Sequence, residues 1–239
     1  MRPKEIAAQN YLYTPKRADG TRDNMVEQKL SQLEGVLGKI WPTVTKGMVD
    51  LESPSLRKGL ALFISTMYLR NPQRLSDHRN IHQAVADLLG KSLLHEAADQ
   101  SRPPTRQETK RFEHVFVSTI VDDSRQLAEL LLQKRWAVVT SDSPVFATCD
   151  APVVVQGAGN APLSFGIEGT NLYFPLSPTR FLIIDDEELP SAYYASKSGF
   201  AEAMNYQTWT AADRYLLSCE PSDTVLQGVM AFADEYGLS

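Results

Sequence analysis

Phe146-Ala147-Thr148-Cys149-Asp150-Ala151-Pro152-Val153-Val154-Val155 is where the character of this chain turns. Helical patterns fill what comes before it, and strand-like runs follow it. Phe146 on one side and the three valines on the other are residues that suit a pleated, half-buried surface. Asp150 thus stands at a strand-to-proline break, a place where side chains converge at a site.

Working outward, the change begins at Trp136. The runs 137–140, 145–148, 153–155, 172–176 and 180–184 are short, β-branched or aromatic, and bounded by turn residues, which predicts strands. Ser177-Pro178-Thr179 reads as the turn between the last two. The glycine-rich loop from Gly157 to Gly169 holds Gly157-Ala158-Gly159 but no G-x-G-x-x-G, so it predicts a hairpin excursion rather than a dinucleotide cradle.

Upstream, Asn24 followed by Glu27 predicts a capped helix start. Val26, Leu30, Leu33, Leu37, Ile40 and Trp41 then form one apolar stripe, with Pro42 as its expected end. Ser53-Pro54 opens a second helix in the favoured order. Its buried face is Leu56, Leu60, Phe63 and Met67, and Arg70 falls on that side before Asn71-Pro72. A third helix is expected over 75–100 and a long one over 106–134, with Asp123 set among apolar residues of the latter. Helical spacing returns over 197–217 and 222–235. The expectation is an α+β fold: a mainly helical N-terminal part packed on a small, mostly antiparallel sheet, followed by C-terminal helices. It is read as a single domain over 1–239, with an extended arm (1–23), a helical part (24–134), a strand-rich part (135–186) and closing helices (190–239).

Of the 239 residues, 43% are hydrophobic and 22% charged, an ordinary globular balance that supports a sizeable core. The formal charge of −5 argues against a general nucleic-acid binder, because phosphate recognition calls for a basic excess. Lys16-Arg17 and the arginines and lysine of 102–111 are small clusters that read as solvated faces. No apolar run is long enough to span a membrane, and the first residues lack a signal-peptide core. With two cysteines far apart in sequence, the expected setting is cytoplasmic.

Few residues carry chemistry. Glu27 and Glu34, seven apart, share one edge of the first helical stripe, and Arg70 on a half-buried face needs a partner. His78 and His82 are spaced to share a metal, yet Arg79 stands where a metalloprotease carries glutamate. Cys149 has no histidine close in sequence to make it a thiolate.

Asn10-Tyr11-Leu12-Tyr13, the Glu27-to-Glu34 helix, Arg70-Asn71-Pro72, Thr148-Cys149-Asp150-Ala151-Pro152, Pro175-Leu176-Ser177-Pro178 and Asn205 with Arg214 occur together in order. In that ensemble the chain resembles domain-of-unknown-function family 4238, a mostly bacterial family with no activity to carry over. The family's usual head, H-Y-V-P-Q-x-x-L, has no counterpart here. Its usual T-S-D-N-P break is matched by Thr148 to Pro152 with Cys149 for serine and Ala151 for asparagine. Thr140-Ser141-Asp142-Ser143-Pro144 matches the letters better, leaving Asp142 and Asp150 as alternatives. The strand context around Asp150 favours the second.

Two functional expectations follow. One is a ligand-binding or interaction domain, or a degenerate family member, in which Arg70, Asn205 and Arg214 bind ligand or form structural ion pairs. The other is a hydrolase or phosphodiester-acting enzyme. There Asp150 would be base or metal ligand, Glu27 and Glu34 supporting carboxylates, and a divalent metal the cofactor that oxygen ligands suit.

Overall fold

The structure, a computed structural model, describes residues 24–71, 120–157 and 168–238. The expected arm, the 75–100 helix and all four histidines lie outside these residues, as does most of the 157–169 loop.

Helix α1 spans Met25–Lys46 and α2 spans Pro54–Leu69. Pro42 does not end α1, contrary to expectation: the helix passes through it and stops at Gly47, whose N–H reaches the Thr43 carbonyl. The bond that proline cannot donate would have gone to the Gly38 carbonyl, and Gly38 is exposed, so the missing bond is not buried. Asn24 and Ser53 precede their helices as expected, but neither makes a side-chain capping bond. A third helix, α3, is described over 120–132.

The strands are β1 Arg135–Thr140, β2 Thr148–Cys149, β3 Val154–Gln156, β4 Asn171–Ser177, β5 Arg180–Asp185, β6 Ala192–Ala195 and β7 Leu216–Leu217. Helix α4 covers Phe200–Ala211 and α5 covers Ser222–Tyr236. Five strands make one sheet in the order β3-β4-β5-β1-β6, antiparallel throughout except for the parallel β1–β6 pair. The β4–β5 hairpin turns at Ser177-Pro178-Thr179, as the sequence predicts, with a register shift between Pro175 and Ser177. Pro175 is tolerated inside β4 because β3, which pairs only Asn171–Tyr173, has ended at its level.

Alternation along the strands sorts side chains to two faces. Trp136, Val138, Phe174, Leu176, Leu182 and Ile184 meet Leu60, Ile64 and Leu131 of the N-terminal helices in the larger core. Trp136 is fully buried, and its indole N–H donates to the Leu131 carbonyl at 3.0 Å. On the other face Val139, Phe146 and Phe181 pack on Phe200 and Met204 of α4, and α5 adds Val225 and Val229 against Ala147. The fold is α+β, a mostly antiparallel sheet with C-terminal helices, as expected, although of the run 145–148 only Thr148 is in a strand.

Two short strands escape the sequence pattern. β6 is a four-residue edge, and β7 lies where a helix was expected to continue to 217. Asp150 gives the reason for the second. Its carboxylate accepts the N–H groups of Asp213 and Arg214, which a continuing α4 would have aimed at its own carbonyls. Ala212 turns extended instead, and the chain leaves to pair with β2.

Candidate functional site

The quoted stretch and the Pro175-Leu176-Ser177-Pro178 turn come together in space. Phe146, Thr148, Cys149 and Pro152 line a cleft of about 490 Å³ together with Phe174 to Pro178. Trp41 of α1, Phe63 and Met67 of α2, and Leu217 to Cys219 complete its lining. No charged side chain lines it among the described residues. Thr148, Ser177 and Ser218 are the hydroxyl-bearing residues of that lining. Trp41, Phe63 and Phe174 meet edge-to-face in every pairing, with centroids 5.4, 6.2 and 6.3 Å apart. That arrangement is the favoured one for rings of like quadrupole.

The wall containing Phe146 is held from behind. Asn205, buried on α4, accepts the Ala147 N–H with Oδ1 and donates Nδ2 to the Val145 carbonyl, both at 2.8 Å. Asp150 holds the next part. Its two oxygens take the Asp213 and Arg214 amides at 3.0 and 2.9 Å, while its own N–H reaches the Tyr215 carbonyl. The carboxylate thus works as the clasp of a turn. Asp142, the competing aspartate, is exposed in the loop after β1.

The expected acids are not gathered. Glu34 pairs with Arg70 at 2.6 Å, joining α1 to the end of α2, and Glu27 sits half-buried in the first turn of α1. Among the described residues no group of three or more His, Cys, Asp or Glu side chains is placed to hold a metal ion. Asp150, Glu27 and Glu34 therefore do not form a three-carboxylate group. Arg214 is exposed and lies 3.4 Å from its neighbour Asp213. Asp123 on α3 is half-buried.

Burial pushes the Cys149 thiol up to about 11, with the nearby Asp150 charge adding to the effect and the Ala151 amide opposing it. At neutral pH this cysteine is a protonated, apolar wall residue and no nucleophile. Cys219, at the same cleft, is exposed.

Sequence reasoning passed over the most heavily paired charges. Arg135 and Asp185, both nearly buried, form two bonds of 2.7 and 2.5 Å. The hydrogen bonds to Asp185 hold the Arg135 guanidinium above its ordinary range. Lys134 reaches Asp186 and the Thr170 carbonyl beside them. The signal was present, since antiparallel pairing of β1 with β5 sets Lys134-Arg135 against Asp185-Asp186, but it requires the register. Arg57 takes the Leu132 and Lys134 carbonyls at the end of α3, and Arg180 takes those of Val44, Lys46 and Gly47 at the end of α1. These two guanidiniums cap helices from far along the chain.

No helix among the described residues is long and apolar enough to cross a membrane. No curated protein and no solved structure matches the chain. A family profile described as "Protein of unknown function (DUF4238)" matches residues 1–222, which takes in both segments that meet at the cleft and the turn that Asp150 clasps. With nearly the whole chain covered, the protein belongs to the DUF4238 family.

Proposed function

We propose that this protein is a ligand-binding domain, working in a reducing bacterial cytoplasm, that takes a small uncharged aromatic molecule into the cleft. The observation that carries this reading is the trio of Trp41, Phe63 and Phe174, set edge-to-face along a cleft with no charged lining among the described residues. An apolar pocket with a few hydroxyls is the usual form of a small-molecule site. A charged ligand would lose its hydration there without gaining a partner. Asn205 and Asp150 are positioning residues in this account, fixing the wall and the turn behind it. The Arg70–Glu34 pair steadies the two helices of the lining.

Indole, with its nine non-hydrogen atoms at roughly 0.7 kcal/mol each, should bind at about −6 kcal/mol, or on the order of tens of micromolar. Ligand-observed NMR measures it directly. Phe63→Leu keeps an apolar side chain and should weaken indole binding severalfold while the protein still melts cooperatively. The proposal fails if folded F63L binds indole as well as the parent does, or if indole-2-carboxylate binds more tightly than indole.

A further inference from the structure

Helix α5 is fastened to the rest of the molecule by one stripe: Val225 and Val229, both almost fully buried, and Phe232, whose ring packs on Tyr206 of α4. It carries a second apolar stripe that this packing does not use: Leu226 and, four residues on, Met230, which is 62% exposed. Leu226 shares a groove of about 530 Å³ with Trp209 of α4 and Leu217 of β7, both also exposed. Of the nine large hydrophobic side chains that are exposed among the described residues, six lie in the last 31 residues of the chain. Scattered singly such residues mean little, but a shared groove and stripe mark an interaction surface.

Charge is concentrated in the same place. From residue 200 onward the chain has six acids (Glu202, Asp213, Glu220, Asp223, Asp234 and Glu235) against Arg214 alone. That net −5 equals the formal charge of the whole chain, so residues 1–199 balance to zero. Asp223 and Asp234, seven residues before and four after Met230, stand on the same side of α5 as the stripe. Asp213 and Glu220 line the groove itself, with Arg214, beside Asp213, as its one cation.

We infer that this face of α4, β7 and α5 docks a basic amphipathic helix of a partner protein. An apolar stripe with anchors at helical spacing, rimmed by acids, is complementary to a helix with an apolar face edged by lysine and arginine. A second copy of this chain would set acid against acid, and the same repulsion excludes nucleic-acid phosphate and anionic lipid. The surface is separate from the aromatic cleft, although Leu217 and Ser218 border both. Most of α5 lies beyond the residues that the family profile matches.

The test titrates the full chain into a fluorescein-labelled peptide of about 18 residues, with leucines at helical spacing and lysines elsewhere. Two comparison peptides have the same pattern with glutamate for lysine and the same composition scrambled. The patterned lysine peptide should bind at least ten times more tightly than either, and Leu226→Ser with Met230→Ser should remove about tenfold. Asp223→Asn with Asp234→Asn should weaken binding and flatten its salt dependence. Equal binding of the scrambled peptide, or indifference to the Leu226 and Met230 substitutions, overturns the inference. So does a micromolar dimer that those substitutions dissolve, since a second copy would then be the occupant.

Discussion

Replacing Asn205 with alanine tests how the cleft wall is built. The carboxamide is 7% exposed and makes two bonds of 2.8 Å, both to the backbone of residues 145 and 147. The bond to the Val145 carbonyl contributes about 1 kcal/mol net. The substitution also strands the N–H of fully buried Ala147, at a cost of roughly 1–3 kcal/mol. The total is about 3 kcal/mol. With an m-value of about 3 kcal/mol per molar urea for a chain of this size, the unfolding midpoint should fall by about 1 M. Because Phe146 lies between the two gripped residues and lines the cleft, indole affinity should fall as well. Amide exchange at Ala147 gives a local readout, and its protection should drop further than that of Val138 in the sheet. A cost below about 0.5 kcal/mol at unchanged m, with Ala147 as protected as before, would refute the reasoning. It would mean that another group or water satisfies the loop as well as the carboxamide does.

Asp150→Ala should destabilise by about 1–2 kcal/mol, as loss of a capping side chain does, and Asp150→Asn by less, since asparagine keeps one acceptor. If thermal melting shows no loss in Asp150→Ala, the clasp on residues 213 and 214 is not what holds that turn. At pH 8 an alkylating agent should modify Cys219 alone until urea exposes Cys149, counted by intact mass; two fast thiols in the folded protein would contradict the buried, protonated assignment. The Cys149 thiol is raised from 9.0 to about 11 in the folded state, so the folded protein holds this proton more tightly than the unfolded chain. Its contribution to stability is complete below about pH 9 and is lost as pH rises towards 11. In Cys149→Ala the alkaline decline of the urea midpoint should be shallower, and an unchanged slope would count against the shift.

The features legible along the chain are those that depend on near neighbours in it. The stripe from Leu30 to Trp41 and the runs 172–176 and 180–184 declare their elements, because a helix or a hairpin strand buries one periodic set of side chains. The turn at Ser177-Pro178-Thr179 is equally local. Pro42 misleads because a single missing bond at an exposed carbonyl costs less than the packing that α1 continues to gain at Val44. The rest came from contacts between distant segments. β6 and β7 exist only through β1 and β2, since four and two residues have no pattern of their own. Asp150 could be read as a base, a ligand or a clasp until residues 213 and 214 arrived beside it. Arg70 found Glu34 36 residues away, and Arg180 caps α1 across more than a hundred. Periodicity records which face a residue takes, but a polar side chain's task is set by the group that desolvates with it, and only the folded chain supplies that group.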